Sequence, residues 1–139
     1  MSRRYARDIS FKYIYASLYG ECNLEDTLES IITVTDDDVK NLDKEERNYF
    51  DNIVFGIKEN KDKIDEIILS KLKNWSIDRI FKIDLAILRL AVYEIMYMDS
   101  IPPKVTVNEA VELAKKYGND SSYNFVNGVL REVIKVKES

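Results

Sequence analysis

The sequence predicts an all-α protein, on three observations. Apolar residues recur at helical spacing along almost the whole chain. Strand signals are poor, with only Lys104–Val107 reading as a short β-branched stretch. The chain of 139 residues holds only two prolines and four glycines, so turn arrays and long loops have little to be built from.

The first helix is expected over Arg3–Tyr19, with Ser2 as N-cap and Gly20 as the closing glycine. Its apolar face is Ala6, Ile9, Tyr13 and Ala16, widened by Ile14 and Leu18. A second helix is expected over Leu24–Thr33 behind an Asn23 cap. An acidic connection, Val34–Leu42, follows. Asp43 with Glu46 three residues on gives a capping-box pattern for a third helix. That helix carries Tyr49, Phe50, Ile53, Val54 and Ile57, and continues or restarts near Asn60 through Ile64, Ile67, Ile68 and Leu72. Asn74–Ser76 is a break, with Ser76 as the next cap.

Ile77–Met98 is the most apolar stretch. Between Ile83 and Val92 only Asp84 and Arg89 are polar. A helix apolar on nearly all sides is the central one of a bundle. Pro102–Pro103 reads as a helix stop. Thr106 and Glu109 then suggest a capping box for a helix Val107–Tyr117, closed by Gly118. Ser121 or Ser122 caps a last helix with Phe125, Val126, Val129, Leu130, Val133 and Ile134 inward. The sum is about seven helices in one domain spanning residues 1–139, with short connections and antiparallel neighbours.

Absences narrow the chemistry. There is no histidine and one cysteine, Cys22, so no histidine-based triad, histidine metal site or zinc knuckle is available. No glycine-rich nucleotide loop is present. No cofactor and no metal site is expected. A lone cysteine fits a reducing compartment, and Met1–Lys12 is charged rather than a signal-peptide core; a cytoplasmic location is expected. The longest apolar run, Leu85–Leu88, is far short of the roughly 20 residues that span a bilayer, so no membrane partner is expected.

Charge is uneven. The chain carries net −4, yet Met1–Gly20 has four basic residues against one acid, while Glu21–Glu66 has six basic against fifteen acidic. Arg3, Arg4 and Arg7 stand in the first turns of a helix, where positive charge opposes the macrodipole by about 0.3–1 kcal/mol each. A compensating anion would explain them. Arginine grips phosphate and tyrosine stacks on bases, so Arg3, Arg4, Tyr5 and Arg7, with Lys12, are a candidate polyanion site; a solvated terminus is the alternative. The loop Asn119–Asn127 offers a helix N-terminus and aromatic rings to an anion, or is an ordinary cap. Asp78, Asp84 and Glu94 could suggest carboxylate chemistry, but buried charges of this kind are more often partnered in the core or placed at an interface.

The stretches RRYARDISFKYIYAS, ILRLAVYE, PPKVTVNEAVELAKKYG and SSYNFVNGVLRE resemble the NusB family of transcription antitermination factors, in that family's order from Arg3 to about Glu132. The resemblance implies two small antiparallel helical bundles packed together. It implies binding to boxA RNA of rRNA leader transcripts together with NusE, a protein of the small ribosomal subunit. The pair then acts in the RNA polymerase antitermination complex, with no reaction catalysed. Carried over by position, the RNA-binding start falls on Arg3, Arg4 and Arg7, with Tyr5 where arginine is often found. A second RNA-contacting patch falls on Ser121, Ser122 and Phe125, and the NusE-facing surface on Tyr15 and Asp84. Asn108, Glu109, Asn127 and Gly128 also match and read as structural, Gly128 as permitting close helix packing. The competing expectation is an interaction module that self-associates as a homodimer through Tyr13, Tyr15 and Tyr19.

Overall fold

A computed structural model describes residues 3–18, 35–73 and 75–138. Those residues form six α-helices and one 3₁₀ turn and no strand: α1 (Arg3–Ser17), α2 (Asp36–Lys40), α3 (Lys44–Ser70), the 3₁₀ turn Ile77–Arg79, α4 (Lys82–Tyr97), α5 (Pro103–Tyr117) and α6 (Ser122–Glu138). The expected helix Leu24–Thr33, its Asn23 cap, and Ser2 and Gly20 as caps of α1 lie outside the described residues.

Every residue from Ile83 to Ile95 of α4 is buried. This helix packs against α1 and α3 on one side and against α5 and α6 on the other. A helix with four neighbours has no face left for water, which is why its sequence shows so little amphipathicity. Of its three buried charged residues, Asp84, Arg89 and Glu94, the last two are neutralised from neighbouring elements. Arg89 donates from Nε and Nη2 to both carboxylate oxygens of Asp65 on α3, at 2.8 and 2.9 Å. Glu94 receives its partners from α1, α3 and α5, as described below.

The capping box at Asp43 and Glu46 is formed as the sequence requires. A second one, Thr35 with Asp38, nucleates the short helix α2 inside what reads as an acidic connection. Ile9, Leu42 and Phe50, with Val39 and Val54 against them, make a small apolar cluster that ties α2 to α1 and α3. Helix α3 runs through Asn60, whose backbone leaves the helical region at φ −115° and ψ 16°. The Asn60 side chain donates to the Gly56 carbonyl at 2.8 Å, meeting an acceptor that the kink disturbs.

Two helix starts differ from expectation by four residues or more. Helix α5 begins at Pro103, not Val107. Proline is tolerated at the first helical position because its missing N–H would have no intrahelical partner there. Thr106 therefore caps nothing; it lies buried inside the helix and its hydroxyl donates to Glu94 Oε1 at 2.8 Å. Helix α4 begins at Lys82, because Ile80 and Phe81 are extended after the 3₁₀ turn.

Gly56 makes room on α3 for a side chain of α4: a Cβ there would fall 2.2 Å from the Tyr93 ring. Gly128 is different. A Cβ there would meet nothing within 4 Å, so the expectation that it permits close helix packing does not hold; the residue faces water on α6.

Candidate nucleic-acid interface

The first turns of α1 do find anions, and two of them belong to the protein. Arg7 points inward and is only 3% exposed. Its Nε and Nη2 donate to the two oxygens of Glu94 at 2.7 and 3.0 Å. The Tyr49 hydroxyl and the Thr106 hydroxyl donate to the same carboxylate. One buried carboxylate thus gathers α1, α3 and α5 onto α4. Burial opposes the Arg7 charge, but hydrogen bonding to Glu94 and the neighbouring Tyr49 and Glu109 outweigh it and hold the guanidinium above its ordinary pKa. Burial and the Glu94 charge together push the Tyr49 phenol well above its usual value. Arg7 is therefore a structural residue, not part of a solvent-facing arginine row. The helix period explains this: Arg7 stands one turn beyond Arg3, at the point where α1 meets α4 and α5.

Arg4 faces outward, its side chain 75% exposed. Its Nε and Nη2 donate to both oxygens of Glu109 on α5, at 2.9 and 2.8 Å. Hydrogen bonding to Arg4 holds the Glu109 carboxyl below the usual carboxylate range, against the effect of its partial burial. Glu109, expected to begin a helix, instead clips α5 to α1. Arg3 is exposed, has no ion pair to a described residue, and lies with its guanidinium 5.6 Å from the Tyr49 ring centroid. Tyr5 is 41% exposed.

Between α1 and α5 lies a cleft of about 430 Å³, lined by Arg4, Tyr5 and Asp8 on one side and Glu109, Leu113 and Lys116 on the other. Further along, the Tyr117 hydroxyl donates to Asp8 at 2.6 Å, and Lys116 lies 3.6 Å from the same carboxylate. Lys12 joins Asp8 at 3.2 Å. Burial, followed by the hydrogen bond and charge of Asp8, pushes the Tyr117 phenol up. Past this point Lys115 sits 5.6 Å over the Tyr123 ring at the start of α6. Basic side chains and half-exposed aromatic rings therefore occur from Arg3 to the α5–α6 loop, interleaved with Asp8, Glu109 and Glu112, which pair with Lys116, Arg4 and Lys115. Lys115 and Lys116 were not singled out from the sequence. Two adjacent lysines in a last helical turn are an ordinary dipole-satisfying pattern, so only the packing of α5 on α1 reveals them.

The α5–α6 loop is held by Asn119. Its Oδ1 accepts from the Ser121 N–H and hydroxyl at 3.0 Å each, and from the Ser122 hydroxyl at 3.2 Å. Gly118 makes the loop tight, because a Cβ there would collide with the Ser122 side chain and with the Ala114 carbonyl oxygen. Ser121 is exposed and Phe125 half-buried, but Ser122 is fully buried. Its hydroxyl is committed to the loop, so Ser121 and Phe125 are what this patch offers to a ligand.

The two residues expected to face a protein partner are both covered. Tyr15 is 3% exposed and stacks on Phe11, a consequence of α1 burying Phe11 and Tyr15 where Tyr13 was expected. Asp84 is 5% exposed, and its Oδ1 is buried with no hydrogen-bond partner among the described residues. Burial pushes the Asp84 carboxyl up, and the nearby Ser122 hydroxyl draws it part of the way back. Asp84 thus lies beside the loop carrying Ser121 and Phe125, a proximity that 37 intervening residues hide in the sequence. Of the tyrosines that suggested self-association, Tyr15 is core, Tyr13 packs edge-on against Phe50 at 5.3 Å, and Tyr19 lies outside the described residues. Asp78, Asp84 and Glu94 form no metal-binding group; among the described residues no cluster of three or more suitable ligands exists. No described helix is long and apolar enough to cross a membrane.

A family model described as the NusB family matches residues 4–135. The Transcription antitermination protein NusB of Clostridium botulinum (strain Alaska E43 / Type E3) is 42% identical over 135 residues, covering 97% of this chain and 99% of the relative. Among solved structures, T. maritima NusB superposes with a TM-score of 0.83 at 34% identity, covering 97% of this chain and 92% of the other. A crystal structure of the antitermination factors NusB and NusE in complex with dsRNA contains a chain with a TM-score of 0.78 at 28% identity, covering 96% of each.

Proposed function

The chain belongs to the NusB family, and from that premise we propose that it is an RNA-binding transcription antitermination factor whose RNA-contacting face is the α1–α5 seam together with the α5–α6 loop. The RNA is of the boxA type, bound together with NusE, and the complex acts on RNA polymerase to support processive rRNA transcription in the cytoplasm. The protein acts by binding and does no chemistry. The observation that carries the reading is the set of exposed side chains Arg3, Arg4, Tyr5, Lys116, Lys115 and Tyr123 in and beyond this cleft, on a protein of net charge −4.

Each residue has a physical role on this face. Arg3 supplies an uncommitted guanidinium. Arg4 grips a phosphate by exchanging Glu109 for it, a bidentate carboxylate for a bidentate phosphate. Tyr5 offers its ring to a base, and at the far end half-buried Phe125 and the Ser121 hydroxyl complete the face. Asp84 lies beside that loop, so NusE docking there places its basic groups near the orphaned carboxylate oxygen. Reaching Asp84 and Tyr15 requires side chains over them to move, so the NusE contact includes local repacking.

Titration of a labelled boxA-type RNA, with and without NusE, tests the proposal. Binding is expected with the protein alone and tighter with NusE. No binding in either arm overturns the reading.

A further inference from the structure

The α3–α4 connection carries a feature that the seam does not use. Trp75 is the only tryptophan of the chain and is 44% exposed. Indole area left in water forgoes the favourable transfer that would draw it into the core. The ring is nevertheless held in place: it lies 5.7 Å from the Phe125 ring, tilted by 35°. Phe125 in turn packs against the main core, so the outer indole has a rigid support.

Around Trp75 the charge is one-sided. Residues 71–82 contain Lys71, Lys73, Arg79 and Lys82 against a single acid, Asp78. None of the four basic side chains forms an ion pair with a described residue. Lys71 lies close enough to α6 for its field to reach Glu132. An exposed, braced indole on a chain segment with four cations and one acid suits a ligand that is flat and apolar in one part and anionic in the next. Single-stranded nucleic acid has that alternation in every nucleotide.

We propose that Trp75, backed by Phe125, is a stacking platform for an unpaired base of the bound RNA, with Lys71, Lys73, Arg79 and Lys82 supplying the field that holds the adjoining phosphates. The inference rests on the RNA-binding reading above and extends its face from the α5–α6 loop onto the α3–α4 connection. An acidic protein segment is the rival occupant.

Because the chain has one tryptophan, its emission reports on this site alone. The full chain is titrated with single-stranded boxA-type RNA, following indole emission and, independently, the anisotropy of the labelled RNA. Quenching of Trp75 with the same midpoint as the anisotropy change supports the platform. So do roughly tenfold weaker binding by Trp75→Ala, near wild-type binding by Trp75→Phe, and loss of the quench when one position of the RNA is abasic. The abasic RNA is tested on the unaltered protein and so does not depend on a variant's folding. RNA binding by anisotropy with unchanged emission, and equal affinity for Trp75→Ala, overturns the platform and leaves the RNA-binding reading standing. Emission that responds to poly-glutamate and not to RNA also overturns it, in favour of the acidic segment. Absence of any anisotropy change overturns both.

Discussion

At the residue scale, three arginines that look alike in the sequence do three different things. Arg3 is exposed, lies by the Tyr49 ring and has no ion pair among the described residues, Arg4 is exposed and clipped to Glu109, and Arg7 is buried on Glu94. Arginines at a helix start call for an anion, and for two of these the protein itself supplies the carboxylate, Glu109 and Glu94. Substitution should separate them. Arg7→Ala leaves Glu94 buried with its hydroxyl donors and no counter-charge, and is expected to cost about 3–5 kcal/mol of stability by denaturant unfolding. Arg4→Ala breaks an exposed pair and should leave the unfolding midpoint near wild type while weakening RNA binding. Asp84 gives a second residue-level test. Its folded-state pKa is raised, so the native state holds the proton more tightly than the unfolded chain does. Its contribution is most favourable below the ordinary carboxylate pKa and is lost as pH rises through the raised value. Asp84→Asn should therefore raise thermal stability at pH 7, by about 1 kcal/mol for one orphaned buried polar group, with the gain vanishing near pH 3. A carboxylate kept at such a cost fits a binding role better than a structural one.

At the element scale, helices were legible where one period dominated. The capping box at Asp43, the central position of α4 and the inward face of α6 all follow from local pattern. The start of α5 did not, because Pro103 can stop one helix or open another and only packing decides which. The short α2 was hidden for a related reason: Asp36, Asp37 and Asp38 read as solvated charge, although Thr35 and Asp38 cap one another. Glycines show the same limit. Gly56 and Gly128 both sit within helices, yet a Cβ would strike Tyr93 at the first and open space at the second. Gly56→Ala is expected to destabilise by about 1–3 kcal/mol through overpacking. Gly128→Ala should stabilise by about 0.5–1 kcal/mol through helix propensity alone. Thermal melts of the two variants would shift in opposite directions. Of the proposed site, Arg3, Arg4 and Tyr5 stand out in the sequence by charge and position, and Ser121 and Phe125 through the family resemblance; Lys115, Lys116 and Trp75 do not, since they join it only through contacts of α5 with α1 and α6 and of the α3–α4 connection with α6.

At the scale of the whole molecule, charge separation organises the account. The acidic excess falls in residues 21–66, while unpaired or exposed cations gather on the α1–α5 seam and the α3–α4 connection. On the proposed reading, a net-acidic protein arranged this way would repel polyanions in most orientations and accept them at this face, which favours register over raw affinity. Glu109 sharpens the selectivity, because a ligand must compete with it for Arg4. The fold serves this arrangement: Glu94 fixes α1 at the depth where Arg7 is buried and Arg3 and Arg4 are left outside.

The most direct test of the central claim is the salt dependence of RNA binding. Affinity for boxA-type RNA should fall steeply as salt rises, because each neutralised phosphate releases counterions. In the Arg3→Ala/Arg4→Ala double variant the slope of log affinity against log salt should be shallower by about two, with affinity reduced about tenfold per arginine at low salt. An unchanged slope and affinity in a folded double variant would contradict the assignment of this face to RNA.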